Sequence, residues 1–368
     1  MGFSCGIVGL PNSGKSTLFN ALTQGGAAVA PYPFCTIEPK EGTVPVPDSR
    51  LAKLAEMLLP PQVTPTTLTF VDIAGLVKGA HDGEGLGNRF LSHIREVDAI
   101  VHVVRWFDDG KVSHVHGKVD PPGDLDVVIT ELLLADLDSV QRRREKAEKM
   151  TKVGDKDARR SLDLIGRLET CLKAGLPAST VKPRDPFEET LLRDLFLLST
   201  KPAMLVGNIG EDQLAQGAVV MSGLSGVPHG ATMPSVALCA RLEAELVELP
   251  PEDRSLFMAD LGLTELALSR VVTMGYDLLG LVTFYTTVGK ELRAWTVPKG
   301  TPASAAAGRI HTDMEQGFIK AEVMPFTEFV KAGTESAARS KGWIRAEGRD
   351  YTVQDGDIIY FHFSRRNS

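Results

Sequence analysis

Residues Gly9 to Ser16 read Gly-Leu-Pro-Asn-Ser-Gly-Lys-Ser, which fits G-x-x-x-x-G-K-[ST]. This stretch restricts the fold because it works only between a buried strand and the start of a helix. Both flanks suit it. Phe3 to Val8 is a short, mostly apolar run, and Thr17 to Leu22 can continue as a helix. Glycines let backbone N–H groups curl around an anion, and the helix N-terminus adds partial positive charge. Lys15 is then placed to reach the β- and γ-phosphates and to offset transition-state charge, and the Ser16 hydroxyl to ligate Mg²⁺. Asn12, Ser13, Gly14, Lys15, Ser16 and Thr17 form the expected phosphate-side contacts.

A chain of 368 residues exceeds one ordinary domain, so two or three are expected. A net charge of −7 argues against the whole protein being a general nucleic-acid binder. Cys5, Cys35, Cys171 and Cys239 are widely spaced with no CxxC, which points away from zinc or a disulfide framework and towards a reducing cytosol. No apolar run approaches the roughly 20 residues of a membrane span. The first residues read as a strand, not a signal peptide.

Further site candidates follow the loop in order. Residues 24–47 are rich in Gly, Ala and Pro, and no helical or strand period survives the prolines. Thr36 in this stretch can complete the Mg²⁺ shell, or it is an ordinary loop threonine. Leu68 to Leu76 reads as a strand that ends in Asp72 and Gly75. Asp72 suits a place facing Mg²⁺, and Gly75 can bring its N–H to a γ-phosphate. Leu76 occupies the position where Ras-like enzymes carry a water-orienting glutamine. Ala99 to Arg105 is a third buried strand, and the polar loop after it holds His114 and His116. Two histidines alone do not make a metal site.

From Val127 to Leu198 the period becomes helical, and nine Lys/Arg face four Asp/Glu between Arg142 and Arg160. An antiparallel helical hairpin is expected, its basic stretch either a solvated face or a contact to RNA phosphate. Pro202 to Asn208 returns as a strand and leads into Asn208-Ile209-Gly210-Glu211. GTP-binding proteins carry Asn-Lys-x-Asp there, so Ile209 and Glu211 weaken the case for guanine. A strand at Pro234 to Leu238 ends in Cys239-Ala240, which can supply backbone contacts to the base. Pro250 to Leu279 reads as two helical pieces broken near Gly262. After Gly280 come a hairpin of Leu281 to Val288 with Leu292 to Val297, a short helix over Ala303 to Ile310, and strands at Phe318 to Val323 and Asp357 to Phe363. This small α+β domain reads as a binding module.

Taken together, these residues resemble the Obg-like ATPase (YchF) family over essentially the whole chain. The resemblance rests on Gly9 to Ser16, Tyr32-Pro33-Phe34-Cys35-Thr36, Asp72 to Gly79, Asn208-x-x-Glu211, Arg293-Ala294-Trp295-Thr296 and Ile310-His311-Thr312-Asp313. It implies an α/β P-loop NTPase of the G-domain type over 1–126 and 200–280. It also implies an inserted coiled-coil arm over 127–199 and a TGS-like β-grasp domain over 281–368. The activity implied is Mg²⁺-dependent ATP hydrolysis, with GTP as a possible second substrate, by a cytoplasmic monomer. The partner implied is the ribosome or its RNA, reached through the arm and the TGS-like domain. The family lacks the catalytic glutamine, and a histidine after the third strand is implicated instead. By motif position that histidine is His114. Two other readings share the same motifs: a GTPase of the same fold, and an interaction scaffold that binds nucleotide but scarcely turns it over.

Overall fold

Every strand of the first sheet that pairs in a recorded register pairs in parallel, because the chain crosses over between one strand and the next. The computed structural model describes residues 2–24, 39–75, 86–115, 117–216 and 233–364. The chain divides into two compact units, one of Met1–Val44 with Thr69–Gly275, the other of Pro45–Leu68 with Tyr276–Ser368.

In the first unit the strands are β1 (Ser4–Val8), β2 (Lys40–Pro45), β4 (Thr67–Asp72), β5 (Ala99–Arg105), β6 (Ala203–Asn208) and β7 (Ser235–Leu238), in the order β2-β4-β1-β5-β6-β7; β3 (Gln62–Thr64) belongs to the other sheet. Cys5, Ile7, Phe70, Val101, Met204 and Val206 are fully buried, as expected of a parallel sheet covered on both faces. The residues at the carboxyl ends of these strands are the ones that the sequence marks for chemistry. The phosphate loop follows β1, Gly75 follows β4, His114 follows β5, Asn208 ends β6 and Cys239 follows β7. Ligands of open α/β sheets bind at this edge. The strand Lys40–Pro45 corrects the expectation that 24–47 has no strand period: Gly42 and Val44 are buried between more open neighbours.

Helix α1 (Lys15–Gln24) begins on the phosphate loop. Helix α4 (Pro121–Lys152) is capped by Asp120, whose side chain accepts from the Gly123 N–H, with Pro121 in its first turn. Its first half belongs to the sheet, because Leu125, Val128, Leu132 and Ala135 are buried against the strands. Only beyond Leu133 does it pair with α5 (Lys156–Lys173) through Val140, Ala147, Leu164, Ile165, Leu168 and Leu172. Leu133, Val140 and Ala147 repeat at seven residues, the spacing of a coiled-coil seam. Asp136, fully buried, accepts hydrogen bonds from the Leu198 and Ser199 N–H groups and the Ser199 hydroxyl, which fastens the returning chain to α4.

The sheet of the second unit runs in the order β11 (Arg345–Glu347), β10 (Phe318–Pro325), β12 (Asp357–Phe363), β8 (Leu281–Val288), β9 (Glu291–Pro298) and β3. The hairpin of β8 and β9 precedes a helix over Ala303–Ile310. Strand β12 runs parallel to β8 and antiparallel to β10. This is the β-grasp arrangement. Residues 46–66, between β2 and β4, which the sequence reading leaves in the nucleotide-binding domain, fold here instead. Helix α2 (Ser49–Leu58) buries Leu51 and Leu54 against Tyr285, Leu292 and Phe329, and β3 pairs with β9. Asp48 caps α2 and joins Arg50, Asp355 and the Tyr285 hydroxyl in one polar cluster. Among the described residues no helix is long and apolar enough to cross a membrane.

Candidate functional site

Backbone geometry builds the phosphate side. Asn12 and Gly14 have positive φ, 61° and 96°. A Cβ on Gly14 would meet Asn208 Nδ2 at 2.2 Å, so this position admits only glycine. Lys15, 7% exposed, donates from Nζ to the Leu10 carbonyl at 2.7 Å. Burial pushes its ammonium down to about 8, against the pull of the Asp72 carboxylate. The Ser16 hydroxyl donates to Asp72 Oδ2 at 2.8 Å. These two hard oxygen donors suit Mg²⁺, which commonly takes one or two carboxylates and completes its shell with water and phosphate. Gly75 lies opposite, where a Cβ would stand 3.2 Å from Lys15 Nζ and from the Pro11 nitrogen. Thr17 and Ser16 are exposed at the helix start, and Ser13 is buried beneath them. Thr36, Leu76 and His116 lie outside the described residues.

On the base side, the described contacts of Asn208 tie two loops together. It is 5% exposed. Its Nδ2 donates to the Ser13 carbonyl at 3.0 Å, and its Oδ1 accepts from the Ala240 N–H at 3.0 Å. Ile209 is 1% exposed, and its apolar side chain is buried at the position of the guanine motif's lysine. Cys239 and Ala240 are also buried, which leaves backbone as their contribution. Glu211 is half-exposed and ion-paired to Arg241 at 2.7 Å. Arg241 carries no motif and lies thirty residues from its partner, so nothing in the sequence marks it.

His114 is brought to the start of α4, where its Nε2 lies 2.8 Å from Asp124 Oδ2. The residue before it, Ser113, accepts from Asn12 Nδ2 through its carbonyl and its hydroxyl. Arg105, buried at the end of β5, organises this loop by donating to the carbonyls of Phe107, Asp109, Val112 and Ser113. Neither Asp124 nor Arg105 stands out in the sequence. The first reads as a helix-start acid, the second as the last residue of an apolar strand.

In the arm, Arg144 pairs with Glu148 and Glu169 at 2.9 and 2.6 Å. Arg142 is exposed; its Nε donates to the Asp138 carbonyl at 3.3 Å, and its guanidinium lies 3.9 Å from the Asp138 carboxylate. The basic run is therefore not uniform: Arg144 fastens the two helices, and Arg142 points to solvent.

The sequence matches two family profiles. One, described as 50S ribosome-binding GTPase, covers residues 4–150. The other, a YchF-GTPase C-terminal family described as protein of unknown function, covers residues 281–364. The Ribosome-binding ATPase YchF of Escherichia coli O157:H7 is 48% identical over 367 residues, 99% of this chain and 100% of that protein. The protein of the same name from Bacillus subtilis (strain 168) is 44% identical over 366 residues, with the same coverage. The solved structure of the Schizosaccharomyces pombe YchF GTPase superposes with a TM-score of 0.86 at 35% identity, covering 98% of this chain and 97% of that one.

Proposed function

The chain belongs to the YchF family, and from that membership we propose that it binds and hydrolyses ATP with Mg²⁺ and acts as a nucleotide-dependent switch on the ribosome. The observation that carries the reading is the convergence of Lys15, Ser16, Asp72 and Gly75 at the carboxyl ends of β1 and β4. Lys15 exchanges the Leu10 carbonyl for phosphate oxygen when a triphosphate binds, which favours its charged form. Ser16 and Asp72 would hold Mg²⁺, with Thr36 proposed as a further ligand, and charge on the β- and γ-phosphates would be neutralised there. The Gly75 N–H faces the γ-phosphate at a closeness that a side chain would deny.

The named relatives divide between ATPase and GTPase, and two features of this chain favour ATP. A guanine-binding carboxylate must be free to accept from two base N–H groups; Glu211 is already held by Arg241. The lysine position holds a buried isoleucine. GTP is then a secondary substrate.

Ribosome association rests on the E. coli and B. subtilis relatives' name, with the exposed arginines of the arm and the TGS-like unit as the proposed contacts. We place the protein in the cytoplasm as a monomer. His114 is the group proposed to orient the attacking water.

Lys15→Ala should abolish tight ATP binding and turnover while leaving the melting temperature near the parent's. Unchanged turnover would remove the reading. His114→Ala should lower kcat by about ten- to a thousandfold with little change in nucleotide affinity; a parental kcat, with and without ribosomes, would remove His114 from the mechanism.

A further inference from the structure

The imidazole of His114 is engaged in the structure, and the engagement is well built. His114 Nε2 and Asp124 Oδ2 lie 2.8 Å apart, and each side chain keeps 6% of its surface. Asp124 sits in the first turn of α4, a rigid element whose next turns are buried in the sheet's core. One residue earlier the same loop is fastened to a different body. Asn12 Nδ2, from the phosphate loop, donates to the Ser113 carbonyl at 3.1 Å and to its hydroxyl at 3.3 Å. Neighbouring residues are thus anchored to the phosphate loop and to the first turn of α4. Arg105 underpins both by holding four carbonyls of the loop, and its guanidinium lies 4.5 Å from the Phe107 ring centroid.

We propose that Asp124 is a positioning residue that holds His114 in a resting place, and that the contact of Asn12 with Ser113 ties its release to the phosphate loop. With Nε2 engaged by Asp124, that nitrogen is not available to an attacking water. Hydrolysis through Nε2 requires the imidazole to leave the carboxylate, so the pair sets a barrier that a partner or the bound nucleotide lowers.

Taking a hydrogen-bond partner from a buried carboxylate is ordinarily costly. The structure offers a replacement. A void of about 10 Å³, the size of one water, is lined by Asp124 with Gly9, Leu10, Ser13, His102 and Arg105. Two of its lining residues carry buried polar atoms with no hydrogen-bond partner among the described residues, Ser13 Oγ and His102 Nδ1. Burial pushes His102 down to about 4 and keeps it neutral. A water in this void can bond the Ser13 hydroxyl, His102 and the carboxylate together. Ser13, at one side of this void, belongs to the phosphate loop.

The proposal rests on the reading of His114 as the water-orienting group, and the test separates the two. Asp124→Asn keeps the shape of the acceptor but removes its charge, and hydrogen bonds to ionised groups are about twice as strong as neutral ones. In steady-state ATP hydrolysis this variant should raise kcat about three- to tenfold, with KM within about twofold of the parent. Amide exchange over residues 112–115 should quicken. In a His114→Ala background the same substitution should leave kcat unchanged. A kcat that stays the same or falls, or that rises equally without His114, overturns the proposal while leaving the role of His114 intact. A parental kcat in His114→Ala alone removes the premise, and the proposal with it. If the asparagine variant folds poorly, Asp124→Ser must give the same signs.

Discussion

Truncating Asn208 to alanine tests the site where its two loops meet. The side chain is 5% exposed and makes two hydrogen bonds of 3.0 Å, one to the Ser13 carbonyl and one from the Ala240 N–H. Alanine leaves both backbone groups without that partner in a buried place. Each such loss costs about 1–3 kcal/mol, so the sum is about 2–4 kcal/mol if water partly repairs one of them. The cost divides between stability and binding, because the tied segments are the phosphate loop and the loop proposed to face the base. Calorimetry should show ATP affinity reduced by about tenfold or more. Thermal unfolding without nucleotide should show a lower melting temperature. The second readout matters, since a residue that touched only the base would leave the nucleotide-free protein unaffected. Asn208→Asp is the sharper control. It keeps the acceptor for Ala240 but turns a carboxylate oxygen towards the Ser13 carbonyl, so it should do no better than alanine. Parental melting and parental affinity in Asn208→Ala would refute the clamp.

Lys15 gives a pH dependence of definite sign. Its ammonium is pushed down from 10.5 to about 8, whereas a bound triphosphate favours the charged form, so between about pH 8 and 10.5 binding takes up a proton. Triphosphate affinity should fall by up to about tenfold per unit across that window, and stay flat below it; in the same window the nucleotide-free protein gains stability as pH rises, because the unfolded chain binds more protons. Arg241→Ala frees the Glu211 carboxylate and should raise GTP affinity relative to ATP; competition binding with an unchanged ratio would show that the pair does not set base choice. Arg142→Glu should weaken ribosome co-sedimentation most at low salt, whereas Arg144→Glu, set against Glu148 and Glu169, should lower the melting temperature of the arm; equal behaviour of the two would erase the distinction drawn between them.

The nucleotide-side fold is legible in the sequence because each of its motifs is local. Gly9 to Ser16 needs a strand before it and a helix after it, and β1 and α1 are there. The strands Ala99–Arg105 and Asp357–Phe363 and the helix Ala303–Ile310 have the expected limits. What was not legible depends on partners far away in the chain. Leu51 and Leu54 have helical spacing, but they are buried against Tyr285 and Leu292, and no local pattern says that the segment between β2 and β4 leaves the first sheet for the second. Ile209 falls at a motif position and reads as a ligand-facing substitution, yet its β6–β7 surroundings bury it. His114 was marked by family position alone, and its acceptor ten residues on is a helix-start aspartate of a common kind. Spacing places residues along elements, while such pairings are set by how the elements pack.

Whether this protein is an ATPase is decided by its steady-state turnover of ATP, measured with GTP as a competitor at increasing concentration. ATP should be hydrolysed, Lys15→Ala should abolish the activity, and GTP at equal concentration should inhibit it little. A hundredfold preference for GTP, or no turnover of either nucleotide with ribosomes present, would contradict the ATPase reading.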